Sequence, residues 1–150
     1  MIEQFRYISY AQEVIFGPGS LARLSEAAER FNCQRLILCT SHSVRSSSHG
    51  MLLETVLGNR LAAVFDQVQP HVQDVQVSEI LALALEKKAD AVIGMGGGSP
   101  IGMAKAIASA LEEKRTGHPA RAAFPTDQPL IPVIAIPTTY SSVTEPELEA

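Results

Sequence analysis

The sequence predicts an α/β fold in which a parallel sheet carries helices on both faces. Three observations point there. Short apolar runs alternate with helical periodicities along most of the chain, the pattern of strand–helix–strand crossovers. The runs Arg35–Thr40, Leu61–Phe65, Ala91–Met95 and Ile131–Ile136 are nearly continuous in apolar residues, as strands covered on both faces are. One of them leads through Gly96, Gly97 and Gly98 straight into a helix pattern. At 150 residues, 46% of them hydrophobic and 19% charged, the chain is long enough for one domain with a buried core.

In chain order, Ile8–Phe16 is rich enough in β-branched and aromatic residues for a strand or hairpin arm, ended by Gly17-Pro18-Gly19. Ser20 then stands where a helix cap belongs, and Leu21, Leu24, Ala28 and Phe31 share one helix face. After the strand Arg35–Thr40, Ser41-His42-Ser43 reads as a turn. A serine-rich stretch leads into a helix near Gly50–Leu57, stopped by Gly58-Asn59. Strand Leu61–Phe65 is followed by a loop from Asp66 to Asp74 with Pro70 and His71. Val77, Ile80, Leu81, Ala84 and Lys88 trace the next helix.

The stretch from Asp90 to Leu111 is the most informative. A buried strand ends in three glycines that take side chains out of the turn, so that a bulky ligand can approach the backbone. Ser99 and Pro100 follow in the order of an N-cap and a first helical residue, and Ile101, Ala104, Ala108 and Leu111 form an apolar stripe. Such a turn aims free N–H groups and the positive end of a helix dipole at one point, which suits a phosphate. The same text also fits a tight strand-to-helix connection without a ligand. It is not a P-loop, because Met103 and Ala104 stand where lysine and a hydroxyl belong, and it is not the GxGxxG fingerprint.

Beyond this helix, the segment Lys114–Pro129 holds Gly117, Pro119, Pro125 and Pro129 and reads as a loop. Ile131–Ile136 is the last strand, with Pro132 placing its start near a sheet edge. Thr138, Thr139, Tyr140, Ser141 and Ser142 make a polar turn beyond Pro137. Because ligands of parallel sheets bind beyond the carboxyl ends of the strands, Ser41, His71, Gly96–Ser99 and Thr138–Tyr140 are expected at one rim. There the glycine turn suits a pyrophosphate, and the threonine hydroxyls suit phosphate, ribose or amide oxygens. Turn chemistry after a strand is the competing reading for the threonines. His71 reads as a solvated loop residue or a contact to ligand, and Lys105 as a residue reaching the pocket or lying over the helix edge.

Composition excludes other classes. A net charge of −4 gives no electrostatic basis for nucleic acid or anionic membrane partners. No apolar run approaches the ~20 residues of a membrane span, and the N-terminus has no apolar signal-peptide region. Cys33 and Cys39 have neither redox nor zinc spacing and are expected as small core residues in a reducing cytoplasm. The histidines lack metal-ligand spacing, so no metal site is expected within this chain.

The string GGGSPIGMAK, Gly96–Lys105, resembles the GGGSxxDxAK motif of the iron-containing (group III) alcohol dehydrogenase family. It is most similar to the maleylacetate reductase branch, in which glycine occupies the position of Gly102. FGPGSLARL at Phe16–Leu24, FDQVQPH at Phe65–His71 and IPTTY at Ile136–Tyr140 follow in the family's order, so the resemblance extends to about Ser142. It implies a Rossmann-like dinucleotide-binding domain over residues 1–142, with 143–150 a frayed tail. NAD or NADP is the implied cofactor, bound by Ser41, Gly96, Gly97, Gly98, Ser99, Thr138, Thr139 and Tyr140. Where NAD-preferring members carry an aspartate at the end of the first strand, this chain has Ser41, which with Arg45 nearby keeps NADP open.

The implied activity is hydride transfer between NAD(P)H and a carbonyl or enone acid. In the intact family enzyme a divalent metal, iron or zinc, is held by an aspartate and histidines of a helical C-terminal domain. No residue here matches those ligands, and no catalytic residue is assigned. The family continues beyond TTY in a TTYAGSE-like segment, whereas this chain reads TTYSSVTEPELEA. It is therefore expected to lack the helical domain, to be catalytically incomplete alone, and to expose an apolar face covered by self-association or by the missing half. The alternative is a non-catalytic nucleotide-binding or interaction module, a truncated remnant.

Overall fold

The computed structural model describes residues 18–118 and 130–138. The expected strand at Ile8–Phe16, most of the loop before Pro129, Thr139, Tyr140 and the tail lie outside the described residues. Within them, strands β1 (Leu36–Cys39), β2 (Leu61–Phe65), β3 (Ala91–Gly96) and β4 (Val133–Pro137) form one sheet in the order β2-β1-β3-β4. Every pairing is parallel, with Leu36 beside Ala91 and Val92 beside Val133. The predicted α/β sheet is present.

Helix α1 (Leu24–Arg30) precedes β1, and α2 (His42–Ser46), α3 (Ser48–Leu57), α4 (Asp74–Glu86) and α5 (Gly98–Thr116) connect the strands. Alternation along each strand divides the core in two. Ile37, Cys39 and Val92 face Ile80, Ala84, Met103, Ile107 and Leu111 of α4 and α5. Leu36, Leu38, Ile93 and Met95 face Leu24, Ala28, Leu53 and Leu57 of α1 and α3. The central strands β1 and β3 are wholly buried, which explains their unbroken apolar runs. In β4 exposed and half-buried residues alternate, as on an outer strand, in agreement with the sense of Pro132.

Several local expectations are corrected. Ser20 does not cap a helix: Gly19 holds that position with φ 76°, and Ser20–Arg23 is a 3-10 turn leading into α1. Ser41-His42-Ser43 is not a turn but the start of α2, because the Ser41 hydroxyl accepts the Val44 N–H. Ser47 likewise caps α3 through the Gly50 N–H. Two serine caps therefore split what reads in sequence as one polar linker. Helix α4 begins at Asp74, and Gln76 in its first turn is buried. The Gln76 amide donates to the Gln67 carbonyl at 2.7 Å and accepts from the Gln69 N–H at 2.9 Å, which ties down the loop after β2.

Cys33 and Cys39 are buried free thiols, as core residues should be. Burial pushes Cys39 up to about 12, and burial followed by the Asp90 carboxylate pushes Cys33 up to about 11. Neither is a thiolate near neutrality, and only the thiolate attacks. The folded chain is expected to be inert to a disulfide exchange reagent at pH 8, with both thiols reacting after addition of denaturant. Rapid reaction of either thiol in the native state would contradict this packing.

Candidate functional site

In a sheet ordered β2-β1-β3-β4 the chain leaves β1 in one direction and reaches β3 in the other, so the direction of winding reverses between β1 and β3. A crevice opens at the carboxyl ends of strands flanking such a reversal. Here the strand ends flanking the reversal lead into Ser41 on one side and Gly96–Ser99 on the other.

Thr40 is fully buried and its hydroxyl donates to the Met95 carbonyl at 2.7 Å, clamping the ends of β1 and β3 together below the crevice. Thr40→Val keeps the shape and deletes that bond. A loss of about 1–2 kcal/mol in urea unfolding is expected, and an unchanged midpoint would contradict the clamp.

The glycine turn differs from expectation in one respect. Gly97, in extended backbone, occupies the N-cap, and α5 begins at Gly98, so Ser99 and Pro100 are its second and third residues. Proline lacks an N–H and is tolerated in a first turn, where no carbonyl would meet it. The Ser99 hydroxyl, no longer needed as a cap, accepts the His71 N–H at 3.1 Å. Gly96 has φ 138°, a region that L side chains rarely adopt. At Gly98 an added Cβ would meet no atom within 4 Å, so this glycine faces open space. The N-cap residue, Gly97, has no side chain to cap α5, and no acidic residue lies in its first turn. Among the described residues, the N-terminal end of this 19-residue helix thus has neither a capping side chain at its N-cap nor an acidic residue in its first turn to offset the positive end of the dipole.

Of the other predicted residues, Thr138 and His71 are joined to this turn. The Thr138 N–H donates to the Gly96 carbonyl at 2.9 Å, bringing the end of β4 to the glycine turn. His71 is exposed with φ 64° and is joined to the turn through Ser99. Ser41 pairs with Gln67 beyond β1, one strand away from the glycines. Lys105 is exposed on α5. Thr139 and Tyr140 lie outside the described residues.

Two residues acquire roles that their spacing does not reveal. A Cβ at Gly94 would come within 2.6 Å of the Pro100 carbonyl oxygen, so α5 rests directly on the β3 backbone. At Gly102 a Cβ would meet Val72 at 3.2 Å, so the loop after β2 packs over the start of α5. A side chain there, such as the aspartate of GGGSxxDxAK, would need the Val72 side chain to give way by a few tenths of an ångström.

Arg45, held in reserve by its sequence position for a 2′-phosphate, is already engaged. Its guanidinium donates to Glu54 and to Asp66, each at 3.0 Å. The hydrogen bond from Arg45 holds the Asp66 carboxyl below its ordinary range, and the same bond, followed by that to Glu54, raises Arg45. Among the described residues no group of three or more His, Cys, Asp and Glu could hold a metal ion.

The family model for "iron-containing alcohol dehydrogenase" matches residues 11–146, a span that includes the crevice. The chain belongs to the iron-containing alcohol dehydrogenase family. It is 34% identical over 128 residues to a maleylacetate reductase of Pseudomonas knackmussii, covering 85% of this chain and 31% of the relative. A 1,3-propanediol dehydrogenase of Klebsiella pneumoniae is 27% identical over 134 residues, 87% of this chain and 35% of that protein. The crystal structure of a maleylacetate reductase from a Rhizobium strain superposes with a TM-score of 0.70 at 27% identity, covering 93% of this chain and 34% of that one. The chain thus spans about a third of the length of these relatives, within the N-terminal region of the iron-containing alcohol dehydrogenases. Among the described residues no helix is long and apolar enough to cross a membrane.

Proposed function

We propose that this chain is the NAD(P)-binding part of a metal-dependent oxidoreductase that transfers hydride between NAD(P)H and a carbonyl or enone acid, as in maleylacetate reductases and alcohol dehydrogenases. The observation that supports the reading is the start of α5, which follows the carboxyl end of β3 through Gly96 and Gly97, has a glycine N-cap without a capping side chain, and has free space at Gly98.

The residues fit a dinucleotide. The backbone N–H groups of Gly98 and Ser99 meet pyrophosphate oxygens, because the first N–H groups of a helix have no intrahelical acceptor. The Ser99 hydroxyl accepts from His71 and keeps its own hydrogen to donate to phosphate. Ser41 lies under the nucleotide half over β1 and Thr138 under the half over β4; Thr139 and Tyr140, outside the described residues, are part of the same proposed set. Domain bounds of 1–142 are part of the same reading. The nicotinamide ring, when bound, exchanges the hydride. This chain's residues bind and orient it, and the substrate and metal sites belong to the rest of the family enzyme.

The test is a titration of the folded chain with NADH, followed by nicotinamide fluorescence, together with an assay for NADH oxidation by a carbonyl acid. Saturable binding without turnover is expected. A folded chain that leaves NADH fluorescence unchanged at millimolar protein would overturn the reading.

A further inference from the structure

The charged cluster beside Ser41 bears on which dinucleotide the crevice takes, an inference that rests on the function proposed above. Asp66 follows β2 directly, and the backbone around it runs alongside Thr40 and Ser41. The Thr40 N–H donates to the Phe65 carbonyl at 2.9 Å, the Val68 N–H to the Thr40 carbonyl at 3.2 Å, and Ser41 bridges Gln67. The Asp66 carboxylate is thereby carried to the carboxyl end of β1, where half of a dinucleotide spanning the β1/β3 crevice must lie. Arg45 is four residues beyond Ser41, and two carboxylates hold it. Its Nη1 lies 3.0 Å from Asp66 and its Nε 3.0 Å from Glu54. His42 adds a third contact, its Nδ1 lying 3.6 Å from the same Asp66 oxygen.

One guanidinium and two carboxylates sum to one net negative charge. We propose that Asp66, with Glu54, is a cofactor-specificity element that excludes an additional phosphate from the nucleotide half over β1. The site therefore takes NAD(H) in preference to NADP(H). Two physical effects act in the same direction. The arginine that would pair with a phosphate is oriented into the carboxylates, and the surplus charge repels the dianion. The neutral Ser41 does not open the site to a 2′-phosphate, because the Asp66 carboxylate directly follows the neighbouring strand, one residue before Gln67, which Ser41 bridges.

The discriminating experiment measures NADH and NADPH dissociation constants for the wild-type chain, Asp66→Asn, Glu54→Gln and the double variant Asp66→Asn/Arg45→Gln. The pairs are solvent-accessible, with the Arg45 side chain 40% and that of Asp66 20% exposed, so the variants are expected to fold, which circular dichroism checks. The wild type is expected to prefer NADH. Removing one charge about 8 Å from a dianion, through a water-like medium, should shift the NADPH-to-NADH affinity ratio about fivefold toward NADPH. Glu54→Gln should move it the same way. The double variant, which again leaves one surplus negative charge, should return it toward wild type. Raising the salt concentration should compress the differences.

A wild type that prefers NADPH, or an Asp66→Asn variant whose ratio equals that of wild type while NADH still binds, overturns the specificity element and leaves the cofactor site standing. Failure of every folded variant and of the wild type to bind either dinucleotide overturns both.

Discussion

Alanine at Gly94 is expected to be the most damaging single methyl group that can be added to this protein's sheet. The position lies in the middle of β3, buried on both faces, and the new Cβ would come within 2.6 Å of the Pro100 carbonyl oxygen and 2.7 Å of the Ile101 Cα. Both are backbone atoms of the first turns of α5, so no side-chain rotation relieves the clash. The helix must lift from the sheet, opening its contacts with Ile37 and Val92 through Met103 and Ile107. Overpacking of a rigid contact costs about 3 kcal/mol, a large part of the roughly 5–15 kcal/mol that holds a domain folded. Urea unfolding of Gly94→Ala should show a much lower midpoint, or an unfolded chain at 25 °C. A midpoint within about 0.5 kcal/mol of wild type would mean that α5 does not rest on the β3 backbone.

Aspartate at Gly98 should have the opposite profile, leaving the fold intact and removing the ligand. The added Cβ meets nothing within 4 Å, and a carboxylate in the first turn of a helix is stabilised by the dipole. Stability should therefore be equal to wild type or slightly higher. The same carboxylate would stand where the pyrophosphate is proposed to sit, exchanging attraction for repulsion at contact distance. NADH affinity should fall by about a hundredfold, the loss of roughly two charge-assisted hydrogen bonds. Gly98→Ala separates charge from bulk and should lose far less. If Gly98→Asp binds NADH as wild type does, the phosphate is not at this turn.

These two glycines show what a sequence carries and what it leaves out. The strands were legible because β1 and β3 are covered on both faces, so Leu36–Cys39 and Ala91–Met95 admit no polar residue and their apolar runs stand out. The common side of the strand ends was legible because alternation of strands and helices dictates a parallel sheet, and a parallel sheet gathers its carboxyl ends at one rim. Contacts across space were not. Gly94 is one glycine among several in the text, and only the closeness of α5 to β3 in the fold separates its role from that of Gly98. Ser99 has the spacing of a cap, yet it bonds to His71, which is 28 residues away in sequence. The carboxylates that hold Arg45 are 9 and 21 residues away, so its proximity to Ser41 suggested a free cation where the fold provides a paired one. Serine-rich text at Ser41–Ser48 was opaque for a different reason: serine favours turns and helix caps alike.

The central claim, that a dinucleotide lies across the β1/β3 crevice with its pyrophosphate on the start of α5, is tested most directly by amide-resolved NMR of the ¹⁵N-labelled chain during addition of NADH. The account predicts the largest shifts at Gly96, Gly97, Gly98 and Ser99, with further shifts at Ser41, His71 and Thr138, and little change at the opposite ends of the strands around Leu36 and Ala91. Shifts concentrated instead at the open groove of about 410 Å³ lined by Leu81, Ala110 and Lys114, or no shifts at saturating NADH, would contradict it.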